Sequence, residues 1–118
     1  MYNIQIDGEN AHLVLSGDVD LQTTAELKNE ISELTGISTL DINASKVSYI
    51  DSSGVAVLLM TRQHCMGNGI ELSLSVISNQ VFRVLQIAKL DKLLPIAKVL
   101  EDDSGSGENF GIGGDDNG

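Results

Sequence analysis

The side chains able to do chemistry in this chain gather in one stretch, Val47-Ser48-Tyr49-Ile50-Asp51-Ser52-Ser53-Gly54-Val55. An apolar approach runs into a carboxylate, two adjacent hydroxyls and a glycine, and a helical pattern follows at once. A helix N-terminus leaves backbone N–H groups unpaired and carries a partial positive charge. A hydroxyl there caps the helix, and a phosphate added to it would meet those same donors. Such a phosphate would also set about two negative charges beside Asp51, a change that a partner surface would sense. Two serines and a glycine offer little bulk, so another protein can come close. Taken alone, the four residues read first as a helix cap, because Asp and Ser are favoured at that position.

Other constellations fail on spacing. Ser53 and His64 stand eleven residues apart on one expected helix. At ~1.5 Å of rise per residue that is about 16 Å, too far for a nucleophile and its base. His12 falls on an expected strand, and neither a Gly-x-Ser-x-Gly elbow nor a phosphate-cradling Gly-x-x-x-x-Gly-Lys-Ser/Thr loop occurs. Asp18 and Asp20 would share one side of an extended turn, but two carboxylates are too few for a dedicated calcium or magnesium cage. Cys65, the lone cysteine, excludes an intrachain disulfide and reads as a small core residue. The expectation is a domain that is not an enzyme and holds no metal and no cofactor.

The elements that must position the stretch follow from periodicity. Ile4 and Ile6, then Leu13 and Leu15, alternate with polar neighbours across Asp7-Gly8-Glu9-Asn10, a hairpin signal. Thr23-Thr24-Ala25-Glu26 fits a capping box with Thr23 as N-cap, and Leu27, Ile31 and Leu34 continue the helix to a stop at Gly36. Leu40 and Ile42 make a short strand with Asp41 and Asn43 facing the other way. After Asp51-Ser52-Ser53 a second helix places Val55, Leu58, Leu59, Cys65 and Met66 near one face and ends at Gly67-Asn68-Gly69. Ile70, Leu72, Leu74 and Val76 alternate as the cleanest strand. Ser78 caps a third helix with Val81, Val84, Leu85 and Ala88, followed by a short Leu94-Pro95-Ile96 strand and a helical stub around Ala97–Leu100. The order β-β-α-β-α-β-α-β predicts an α/β fold with a single mixed, mostly parallel β-sheet flanked by helices.

Composition bounds the function. Of 118 residues only 3% are aromatic, and ten net negative charges repel a polyanion, so no nucleic-acid binding is expected. Eleven acids against seven bases leave −4 on residues 1–100, and the last eighteen residues carry −6 together with half of the glycines. Residues 1–100 are therefore expected to form the domain and 101–118 a disordered acidic tail, one able to compete for a basic patch on a partner. No signal peptide is visible, and the longest apolar run, Val55–Met60, is too short to span a bilayer. A cytoplasmic location without membrane insertion is the expectation.

Ile50-Asp51-Ser52-Ser53-Gly54-Val55 resembles the phosphorylation segment of STAS domains of the anti-sigma factor antagonist type. Upstream, Leu15-Ser16-Gly17-Asp18-Val19-Asp20 and Thr24-Ala25-Glu26-Leu27 resemble the family's second strand, acidic turn and first helix, and the resemblance extends over residues 2–100. It implies a STAS fold and a molecular switch. The second serine of the pair, Ser53, would be phosphorylated by a serine kinase that is also the anti-sigma factor. Asp51, Ser52 and Gly54 would form its local surface, with Asp20 nearby. The unphosphorylated form would bind that partner, the phosphorylated form would not, and a phosphatase would reset it. Ala56 and Met60, opposite the buried side of the same helix, would extend the docking face, with Met60 equally able to pack into its neighbour. Another branch of the family is the STAS subunit of a lipid-transport ABC complex, which docks on the ATPase. Val55–Leu59 and Val81–Leu85 are similar to it, but that branch usually carries Thr-Gly where this chain has Ser52-Ser53.

Overall fold

The computed structural model describes residues 1–101. The acidic tail expected over 101–118 thus lies, apart from Glu101, outside the described residues. Strands β1 (Tyr2–Asp7) and β2 (Asn10–Val19) form the hairpin, followed by α1 (Leu21–Ser32), β3 (Thr39–Ile50), α2 (Ser52–Gly67), β4 (Glu71–Ile77) and α3 (Asn79–Ile87). The sheet order is β1-β2-β3-β4, with β1 antiparallel to β2 and the other two pairs parallel. The mixed, mostly parallel sheet is as the sequence predicts. Alternation explains it: Ala11, Leu13 and Leu15 of β2 and Leu40, Ile42 and Ala44 of β3 are buried, while His12, Val14, Asp41 and Asn43 between them are not. The buried set joins Leu27 and Ile31 of α1, Val57, Leu58 and Cys65 of α2, and Val81 and Leu85 of α3 in one core.

Several expectations are corrected. The N-cap of α1 is Asp20, not Thr23: its carboxylate accepts from Gln22 N at 3.1 Å and Thr23 N at 3.2 Å, and Thr23 Oγ1 accepts from Asp20 N at 2.9 Å. The capping box has moved back one turn, since Asp is the stronger cap and Thr24, fully buried, belongs to the helix interior. Strand β3 is twelve residues long rather than a short strand at Leu40–Ile42. Its register against β2 slips between Val14 and Ser16 and again between Gly17 and Asp18, where Gly17 takes a positive φ that a side chain would resist. These irregularities let β3 follow β2 to its end, so that Val19 pairs with Ile50.

The stub around Ala97–Leu100 is extended, not helical. Ile96 bridges Leu74 and Val99 bridges Ile77 in parallel, because the outer edge of β4 offers N–H and C=O groups that Pro95–Leu100 satisfy. The predicted last strand is therefore present only as isolated bridges. On α2 the buried positions are Gly54, Val55, Val57, Leu58, Thr61 and Cys65, with Leu59 half-buried and Met66 66% exposed. Thr61 joins the apolar side because its hydroxyl donates to Val57 O at 2.7 Å, which satisfies it without water. No helix among the described residues is long and apolar enough to cross a membrane.

Candidate functional site

Two helices begin side by side where the parallel strands β2 and β3 end. Asp51, immediately after β3, caps α2: its Oδ1 accepts from Ser53 N at 2.9 Å and Gly54 N at 3.2 Å. The Ser53 hydroxyl donates to the same oxygen at 2.5 Å. Asp51 N donates to Val19 O at 3.3 Å, and the backbone N–H of Leu21, the first residue of α1, helps to hold the carboxylate in its charged form. One residue thus ties α2 to the end of β2, its carboxylate capping the helix and its backbone N–H bonding Val19. A carboxylate surrounded by donors is stabilised in its charged form. The Ser53 hydroxyl, and then the backbone N–H groups of Gly54, Ser53 and Leu21, hold the Asp51 carboxyl below the usual range, against partial burial, which pushes it up.

The sign of that shift gives a pH dependence. A carboxyl with a depressed folded pKa contributes stability above its unfolded value, and the contribution is lost as pH falls through the folded value. The melting-temperature gap between the wild-type chain and Asp51→Asn should therefore be widest near neutrality and narrow below about pH 4. A gap that stays constant across that range would remove Asp51 as a charged clamp.

Gly54 explains how α2 comes so near. A Cβ built there would lie 2.6 Å from Ile50 Cγ1, 2.7 Å from Val19 O and 2.9 Å from Val19 Cγ1. The glycine is a close-approach residue, which pulls Ser53 down beside Asp51. Ser52, the first residue of the helix, is exposed, whereas Ser53 is half-buried. The two serines, indistinguishable by composition, are separated by position.

The sequence-predicted site residues converge only in part. Asp51, Ser52, Ser53 and Gly54 are contiguous. Asp20 stands at the neighbouring helix start, but its carboxylate is committed to capping α1. Of the docking pair, Ala56 is exposed and Met60 is half-buried against the core, so the two are not equivalent. His64 is remote from Ser53, near the far end of α2, where its Nε2 lies 2.8 Å from Leu34 O. Cys65 is buried, and burial pushes its thiol pKa up. Among the described residues no cluster of His, Cys, Asp and Glu could hold a metal ion.

Sequence reasoning missed Leu21, which is 74% exposed at the first turn of α1 while its backbone serves Asp51. An apolar residue directly after an Asp cap is the only trace it leaves in the sequence. Tyr49, two residues before Asp51, is also exposed. Both add exposed apolar surface at the end of the sheet where α1 and α2 begin.

Comparison with known proteins agrees with the fold. The family model described as "Mlab, STAS domain" matches residues 2–95. The chain is similar to the anti-sigma-B factor antagonist of Listeria monocytogenes, 26% identical over 95 residues that make up 79% of this chain and 83% of the relative. Among solved structures it resembles the anti-sigma factor antagonist SpoIIAA in its unphosphorylated form, with a TM-score of 0.74 at 20% identity over 87% of this chain and 91% of that one. It also resembles the Bacillus cell fate determinant SpoIIAA in the phosphorylated form, with a TM-score of 0.70 at 20% identity over 87% and 95%. At such identities the solved structures speak to the fold, and the family match carries the assignment: this chain belongs to the STAS domain family.

Proposed function

We propose that this chain is an anti-sigma factor antagonist-like regulatory module that binds a kinase/anti-sigma partner and is switched by phosphorylation at Ser53. The observation that carries the reading is the Ser53 hydroxyl, half-buried yet at the rim, bonded to Asp51 at the point where α1 and α2 both begin. That oxygen is fixed in direction, and a phosphoryl group on it would sit among the backbone donors of a helix start and against a charged Asp51. The local change would be large in charge and small in volume. Ser52, Asp20 and Ala56, joined by Leu21 and Tyr49, form the surface that the partner reads, with Met60 half-buried at its margin and Gly54 buried beneath it. The similarity to proteins named anti-sigma-B factor antagonists supports the assignment, as does a fold neighbour known in phosphorylated form. The chemistry belongs to the kinase and to a phosphatase that resets the switch; this chain supplies the acceptor and a docking face, in the cytoplasm.

A second reading is kept by one observation. The Ser53 hydroxyl is already spent on Asp51, which suits a helix cap that is never modified, and the chain would then be a STAS subunit that docks on an ABC-transporter ATPase. Affinity capture from native cells with the wild-type chain and Ser53→Asp separates the two. A kinase-fold protein retained by the wild type alone, and able to transfer phosphate to Ser53, is the expected result. An ABC ATPase retained equally by both forms would overturn the switch and leave Ser53 a helix cap.

A further inference from the structure

The two edges of the sheet are treated differently. The outer side of β4 is satisfied by residues 95–100. At the other edge, β1 pairs only with β2, and no other segment among the described residues adds to it. The register fixes which of its groups are free. The turn closes Asp7 onto Asn10, and Ser16 N donates to Met1 O at 2.8 Å, so the odd-numbered residues Asn3 and Gln5 turn their N–H and C=O toward β2. Tyr2, Ile4 and Ile6 turn theirs outward. Natural edge strands are commonly blunted by lysine, proline or a bulge. Strand β1 carries no lysine or proline, and its register is unbroken. Ile6 stands 57% exposed upon it.

Beside this edge lies a groove of about 610 Å³ between β1 and α1, walled by Tyr2 and Ile4 on one side and by Gln22, Thr23, Glu26 and Glu30 on the other. No Lys, Arg or His side chain lines it, Met1 and Asn3 completing the wall. Burial, then the carboxylates of Glu26 and Glu30, push the Tyr2 hydroxyl pKa up, so both acids act on the groove. We propose that the free edge of β1, with the groove between it and α1, binds an extended basic peptide segment of another protein by adding it to the sheet as a further strand. Its backbone would meet the outward groups of Tyr2, Ile4 and Ile6, and every second side chain would point to the α1 side, where a cation meets Glu26 or Glu30. A second copy of this chain fits less well, because edge-to-edge pairing would bring two sets of these carboxylates together. The site is separate from Ser53 and stands whether or not that serine is modified.

The test uses the full chain and a fluorescein-labelled heptapeptide of alternating lysine and valine, with alternating glutamate and valine as the comparison. Fluorescence anisotropy should show salt-sensitive binding of the basic peptide alone. It should weaken at least about tenfold in the double variant Glu26→Lys, Glu30→Lys, both positions being exposed. Ile6→Pro, which deletes one outward donor and no bond to β2, should weaken it several-fold. Amide hydrogen exchange should slow at Tyr2, Ile4 and Ile6 on binding and stay unchanged at Asn3 and Gln5. Binding of both peptides alike, indifference to the charge reversal, or no binding at all would overturn the proposal. So would a concentration-dependent dimer of the free chain that protects the same amides, since a second copy would then own the edge.

Discussion

Gly54→Ala is expected to destabilise the fold by about 3 kcal/mol, the upper range for forcing extra volume into a packed site. The added methyl would meet a side chain at 2.6 Å and the carbonyl oxygen of Val19 at 2.7 Å. Side chains can rotate away, but that carbonyl accepts from Asp51 N and belongs to the end of a central strand. Relief therefore requires α2 to lift from β2 and β3, which loosens the Asp51 clamp and the burial of Val55, Val57 and Leu58 together. In a domain of this size each kcal/mol shifts the melting temperature by roughly 4–8 °C, so a fall of ten degrees or more is expected. Gly67→Ala is the control: it sits at the end of the same helix, with nothing within 4 Å of its would-be Cβ. There alanine should be neutral or slightly stabilising, since glycine is the weaker helix former. Urea unfolding followed by circular dichroism measures both. Equal stability of the two alanine variants would refute the close-packing role of Gly54.

Ser53→Asp is expected to weaken binding of the kinase/anti-sigma partner at least about tenfold, while Ser53→Ala binds as the wild type does and accepts no phosphate. A carboxylate at position 53 falls next to the Asp51 oxygen that now receives the serine hydroxyl. Two like charges at that range repel strongly where solvent is partly excluded. They would also leave unpaired negative charge in the centre of the docking face, where an interface tolerates it least. Ser52→Asp adds the same charge one residue earlier, on the exposed first residue of the helix, where the dipole favours it. It should change binding far less. Titration by calorimetry gives the affinities, and thermal melts of each variant separate lost binding from lost folding. Similar affinities for Ser53→Asp and Ser52→Asp would mean that net charge alone matters, and the switch at Ser53 would fall.

How much of this was legible beforehand depends on the range of the interaction. The hairpin at Asp7–Asn10, the strand alternation around Leu13, Ile42 and Leu74 and the Ser78 cap are local patterns, and each stands where the sequence puts it. The start of α1 was misplaced because Asp20 and Thr23 are both competent caps, and the choice went to the one that leaves Thr24 inside. The residues after Leu94 are extended rather than helical because their conformation answers to the edge of β4, 22 residues away, rather than to their own propensity. Helical spacing puts Met66 near one face with Val55, Leu58, Leu59 and Cys65, yet α2 is apolar on most sides, and which positions turn inward is decided by contact with β3, β4 and α1.

The order of the elements as far as α3, the mixed sheet, the helix cap at Asp51-Ser52-Ser53 and the resemblance to STAS domains are legible in the chain alone, because all of them rest on neighbours in sequence. Packing between elements is what sets Gly54 against Val19, brings the start of α1 near Asp51 and holds Ser53 rather than Ser52 on the carboxylate. It alone left Leu21 exposed at the start of α1 and the edge of β1 open next to Glu26 and Glu30. These are distances between elements far apart in sequence. They are set by how closely α1 and α2 pack over the ends of β2 and β3, a balance of side-chain volumes that no local pattern encodes.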